Sequence, residues 1–215
     1  MSINVEQPVE RTPAGAWAEL KAGNLRFVNG TPGHPRQDVE RREQLVGLQS
    51  PHAALFGCSD SRLAAEIIFD NGLGDLFVVR NAGQVISDSV VGSLEYAVAV
   101  LQVPLIVVLG HDTCGAVIAA INSQAPDADA LPPHIQQLIS KIIPAVTRVA
   151  AGKPVTRELD STLVGREHLR DTVAELLQAS ELISDAIAAG TLAIVGANYR
   201  LLEGTAVPDI IVGAV

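Results

Sequence analysis

Aromatic side chains are scarce, 3% of a chain that is 48% hydrophobic overall. The core is therefore expected to be aliphatic, and Val, Ile, Leu and Ala in that proportion suit a buried, mostly parallel sheet. Positive charge is short as well: 15 Lys and Arg stand against 24 Asp and Glu, a formal net charge of -9. An acidic chain with few aromatics has neither the basic groove nor the stacking platforms of a nucleic-acid binder. It also has no attraction for an anionic membrane surface. Long apolar runs are missing. The longest, Tyr96 to Gly110, is interrupted by Gln102 and Pro104 and falls short of the roughly 20 residues that span a bilayer. The opening MSINVEQPVERTP lacks the basic start and apolar stretch of a secretory signal. With only two cysteines, Cys58 and Cys114, no disulfide framework can form. These absences predict a soluble, cytoplasmic protein whose thiols stay reduced and free to bind metal. Nucleotide binding has no support, because neither G-x-G-x-x-G nor G-x-x-x-x-G-K-[ST] occurs, and the hydrolase elbow G-x-S-x-G is missing too.

What is present is an alternation of short apolar runs and helical patterns. Strands are expected at 53–57, 76–80, 105–109 and 192–197, with a possible edge strand at 209–214. Helical stretches fall at 40–48, 63–70, 89–101 and 114–122, from about 133 to 150, and as one long region over 157–189. Strand–helix alternation at this spacing predicts right-handed βαβ units. The fold expected is α/β: a central, mostly parallel four-stranded sheet with an added edge strand, flanked by helices. A single domain covers 1–215, with 1–35 as an N-terminal helical arm and 36–215 as the core. The arm carries Trp17, Leu20, Leu25, Phe27 and Val28 on a rough helical stripe before the Gly/Pro-rich GTPGHPRQ. Such a stripe can pack on a neighbouring subunit or on its own domain.

The chemistry-bearing residues cluster after two of the predicted strands. Cys58, Asp60 and Arg62 follow the first, in LFGCSDSR; His111 and Cys114 follow the third, in GHDTCGA. Ligands of open parallel sheets bind beyond the carboxyl ends of strands, where strand order reverses. If those two strands are neighbours, all these side chains converge. Two thiolates and an imidazole suit Zn²⁺, and three protein ligands leave a fourth position for water, the pattern of a catalytic site. Two thiolates cancel the metal's charge, so a group that orients the zinc-bound hydroxide would matter. Asp60, kept ionised by Arg62, can do this. It is also close enough to ligate the metal itself in a closed state. The competing reading of Asp60 and Arg62 is a structural ion pair. His34, His52, His134 and His168 sit in polar or Pro-rich contexts and are expected at the surface.

CSDSR at 58–62 and HDTCGA at 111–116 together resemble the paired signatures of the β-class carbonic anhydrases, and QSP at 49–51 is similar to their plant-type branch. The resemblance implies reversible hydration of CO₂ to bicarbonate and a proton, with one Zn²⁺ per subunit on Cys58, His111 and Cys114. It implies Asp60 and Arg62 as the catalytic dyad. It places Gln49, Phe77, Tyr96 and Gly115 at the substrate site, Gln49 and backbone amides holding the oxygens. It further implies a homodimer or dimer of dimers, with helical arms wrapping the partner. RNAGQVI at 80–86 departs from the plant-type form at Gly83 and Gln84. Hydrolysis of COS or CS₂ on the same scaffold, and a non-catalytic zinc or thiol sensor, are the rival readings.

Overall fold

A computed structural model describes residues 11–215. Five strands form one sheet in the order β2-β1-β3-β4-β5: β1 (Ala53–Cys58), β2 (Leu76–Asn81), β3 (Leu105–His111), β4 (Ala193–Arg200) and β5 (Thr205–Val212). The first four pair in parallel and β5 returns antiparallel to β4. The expected four-plus-edge sheet is thus present. β1 and β3 are buried along their whole lengths, because side chains of both faces meet apolar layers. Leu105, Val107 and Leu109 enter one layer, Ile106 and Val108 the other.

Helices close both faces. On the first lie α1 (Pro13–Val28), α3 (Ala65–Ile68), α5 (Gly115–Asn122), α6 (Pro133–Ser140) and α7 (Ile143–Ala150). On the second lie α4 (Asp88–Ala99), α8 (Ser161–Ala179) and α9 (Glu181–Ala188). The short α2 (Val39–Gln44) buries none of its residues. Among the described residues no helix is long and apolar enough to cross a membrane.

Helix α1 packs part of the arm's stripe on the chain's own domain. Thr12 caps it, its hydroxyl accepting from Gly15 N at 3.0 Å, and Pro13 opens its first turn. Trp17 and Leu20 enter the chain's own core, while Leu25 is 60% exposed. Gly23 is needed for this approach, since a Cβ there would come within 1.8 Å of Phe69 O. Asn24 pins the helix by donating to Ile68 O and Gly204 O and accepting from Ala206 N. Residues 1–10 of the arm lie outside the described residues.

Two helical regions differ from expectation. The stretch 157–189 divides at Ser180, whose hydroxyl caps α9 by accepting from Ile183 N at 3.2 Å while donating to Glu95 Oε1 at 2.7 Å. The stretch 133–150 divides before Pro144, which lacks the N–H that a continuous helix would use. The last strand starts four residues earlier than predicted, and Pro208 sits in it opposite Ala197, beside the bulge at Gly196/Ala197. An edge strand tolerates proline there.

The connection from β1 leads to β2 on one side, and the connection from β3 leads to β4 on the other. The crevice between their carboxyl ends is the place where such sheets hold ligands.

Candidate metal centre

Parallel pairing in the register Gly57 to Leu109 brings the end of β1 beside the end of β3. Cys58 closes β1 and His111 closes β3. The turn after His111 carries Thr113 at φ +48°, and it returns the chain so that Cys114 precedes α5. The ligand atoms of Cys58, His111 and Cys114 all lie within 4.8 Å of one another, and the three residues are buried. The two Sγ atoms are 3.9 Å apart.

The imidazole is fixed for coordination. Nδ1 of His111 lies 2.8 Å from Asp112 O, and a carbonyl only accepts, so Nδ1 carries the proton and Nε2 is left with its lone pair. Nε2 is buried and has no hydrogen-bond partner among the described residues. Asp112 is itself held, its N–H donating to Tyr199 O and its Oδ1 accepting from Leu201 N. A buried ring nitrogen aimed at two thiols, with its other nitrogen tied to a carbonyl, is the usual arrangement around a metal.

The sulfurs are tuned unequally. A hydrogen bond from Cys114 pulls the Cys58 thiol down to about 4, opposed by burial and helped by the Gly83 N–H. The same hydrogen bond pushes the Cys114 thiol up. A divalent cation would bind both sulfurs as thiolates, displacing their protons.

Asp60 stands at the edge of this group. Its Oδ1 accepts from Arg62 N at 3.0 Å and Nε at 2.8 Å, and its Oδ2 from Nη2 at 2.6 Å. Oδ2 is 4.0 Å from His111 Nε2. The Arg62 fork holds the Asp60 carboxyl well below the usual carboxylate range. Arg80 buttresses the loop by donating to Cys58 O at 2.9 Å and Asp60 O at 2.7 Å.

The residues expected at the substrate site divide. Gly115 opens α5 next to Cys114. Gln49 is exposed in the loop before β1, at the end of the strand opposite Cys58. Phe77 pairs with Ala54, roughly 13 Å down the strand from Cys58 at about 3.3 Å per residue. Tyr96 stacks near it, ring centroids 6.1 Å apart. One chain therefore does not bring Gln49, Phe77 or Tyr96 to the cysteines.

Sequence reasoning missed Arg80 and His168. Arg80 was reachable through register, since β2 ends level with β1 at Cys58 and Asn81. His168 carried no signal. It was expected at the surface, as was His52, and both are buried. Burial pushes both imidazoles below their ordinary value. His34 and His134 are exposed as expected.

The sequence pattern of the family described as "Carbonic anhydrase" matches residues 53–206, from the first residue of β1 into β5. The chain belongs to the β-carbonic anhydrase family. It is 50% identical over 196 residues to carbonic anhydrase 2 of Mycobacterium tuberculosis, covering 91% of this chain and 92% of that protein. It is 49% identical over 194 residues to a carbonic anhydrase of Mycolicibacterium smegmatis, covering 89% and 91%. Its fold resembles that of a β-carbonic anhydrase of Sordaria macrospora, one of two described as tetrameric. The TM-score is 0.67 at 24% identity, over 91% of this chain and 92% of that one. For this carbonic anhydrase the donor set fits the ion: two sulfurs and one imidazole nitrogen suit Zn²⁺ and leave one position open.

Proposed function

We propose that this carbonic anhydrase hydrates CO₂ reversibly at the crevice between β1 and β3, with one Zn²⁺ per subunit held by Cys58, His111 and Cys114. The observation that carries the reading is the meeting of those three donors within 4.8 Å beside a carboxylate whose Oδ2 is 4.0 Å from the imidazole. Zn²⁺ there supplies Lewis acidity, lowering the pKa of a coordinated water to make a nucleophile near neutral pH.

The protein's own groups supply orientation. Asp60, ionised and acceptor-only, takes a hydrogen bond from the attacking water and directs its oxygen lone pair at carbon. Arg62 occupies both carboxylate oxygens, which keeps Asp60 as an acceptor rather than a fourth ligand. The buried core around Cys58 and Cys114 excludes bulk water from the sulfurs. The released proton passes to solvent or buffer.

Gln49, Phe77 and Tyr96 complete the pocket only if a second copy presents them. We therefore assign them to a site shared across a homodimer, alone or paired into a tetramer. The tetrameric Sordaria macrospora relatives support assembly of this kind. Mixed oligomers test it, with stopped-flow CO₂ hydration as the readout. Chains carrying Cys58→Ser and chains carrying Gln49→Ala are each expected to be impaired alone. Co-refolded, they regain activity above the mean of the two, because one pocket per mixed dimer is whole. No gain on mixing would place Gln49 in its own chain's site or outside the site altogether.

A further inference from the structure

Behind Cys58 lies a buried polar contact that the proposed chemistry does not use. The turn after β2 carries two consecutive residues at positive φ, Gly83 at +78° and Gln84 at +42°. Its N–H at Gly83 donates to Cys58 Sγ at 3.3 Å. Glycine is required at this position: besides the positive φ, a Cβ would sit 2.8 Å from Ala116 Cβ and 3.1 Å from Ile142 Cδ1. Glycine is also the residue least able to hold its own backbone in place. The N–H can stay on the sulfur only if something else fixes the turn.

His168 of α8 does this from the carbonyl side. Its Nε2 lies 2.7 Å from Gly83 O, so Nε2 carries the proton and donates. The side chain is 3% exposed. Its Nδ1 is buried without a hydrogen-bond partner among the described residues, a cost that an apolar residue would not incur. Thr172 adds a second tie one helical turn on, its Oγ1 standing 2.9 Å from His168 O and 3.3 Å from Gln84 O. Asn81 closes the turn from the other side, its side-chain amide bonding both Val85 N and Val85 O.

We propose that His168 is a positioning residue for the metal centre: by holding the Gly83 carbonyl it keeps the Gly83 N–H on Cys58 Sγ and sets how strongly that sulfur donates to the metal. The inference rests on Cys58 being a metal ligand. A thiolate that accepts an N–H bond has its lone pairs lowered in energy, and losing the bond raises them. Second-layer contacts of this kind commonly change metal affinity by about 10–100-fold.

The test compares His168→Leu, which keeps bulk but loses the donor, with His168→Gln, whose amide nitrogen reaches about as far as Nε2. Each full-length protein is loaded with Co²⁺, and the sulfur-to-cobalt charge-transfer band is recorded. Zn²⁺ affinity is measured by chelator competition, and melting temperature alongside. The expected result in His168→Leu is a band at lower energy, from the raised sulfur lone pairs, and Zn²⁺ affinity about tenfold weaker, because the Cys58 sulfur is no longer held in place for the ion, with both largely restored in His168→Gln. A His168→Leu protein of lowered melting temperature but unchanged band and affinity makes His168 merely structural and overturns the proposal. Should His168→Leu fail to fold, His168→Asn, too short to reach Gly83, takes its place against the same two outcomes. A wild-type protein showing no sulfur-to-cobalt band overturns the metal assignment itself, and the inference with it.

Discussion

Cys58→Ser is expected to abolish stoichiometric zinc and, with it, CO₂ hydration. The serine hydroxyl is a harder donor and stays protonated at neutral pH, so one of two thiolate ligands is lost outright. The remaining Cys114 and His111 Nε2 cannot close the coordination that the trio makes within 4.8 Å. Without the Lewis acid, water near pH 7 is too weak a nucleophile, a loss of several kcal/mol of barrier lowering, or about a thousandfold or more in rate. The fold should survive. Cys58 lies at the rim of a core that also contains Leu55, Leu105, Val107, Leu109 and Val195, and these owe nothing to the metal. Metal analysis, stopped-flow hydration and a thermal melt on one preparation check all three parts. A Cys58→Ser protein that keeps one zinc per chain would refute the ligand assignment.

Asp60→Asn should show the opposite pairing of effects, with zinc retained and turnover lost. On the proposed reading the carboxylate is not needed to hold the ion, yet it is the acceptor that directs the nucleophile. An amide in its place turns an N–H₂ toward one side and leaves Arg62 without its bidentate anion. A fall in kcat of about a hundredfold is expected, near 2.7 kcal/mol. Arg62→Lys should fall part of the way, because a single ammonium cannot reproduce the fork. The pH dependence follows from the direction of the Asp60 shift. Its folded pKa is depressed, chiefly by the hydrogen bond from Arg62, so the ion pair is fully present above the unfolded carboxylate value. It is lost only as pH falls through the lower folded value. Asp60 therefore stays charged across roughly pH 5 to 9, and any inflection of the wild-type profile there belongs to another group. Disappearance of that inflection in Asp60→Asn would contradict the assignment.

The parts of this site that were legible in the sequence are those that strands carry. LIVVLGH over β3 is too apolar and too β-branched to be anything but a buried strand, and it ends on His111. Cys58 likewise ends β1. Two strand ends with ligand residues at both are enough to predict convergence, because parallel neighbours put their carboxyl ends side by side. What was not legible depends on tertiary partners. Ser180 breaks a helix because its hydroxyl finds Ile183 N and Glu95, and helical periodicity runs straight through it. His168 sits among charged residues on α8, yet the helix turns that position inward to Gly83. Gln49, Phe77 and Tyr96 match a motif, but the motif says nothing of which end of the sheet they occupy. The chain itself sets them away from the cysteines.

Zinc K-edge X-ray absorption on the metal-loaded protein tests the central claim most directly. Two sulfur scatterers at about 2.3 Å and two light N/O scatterers at about 2.0–2.1 Å are expected, one of them with the multiple scattering of an imidazole. A first shell with fewer than two sulfurs, or without an imidazole, would contradict it.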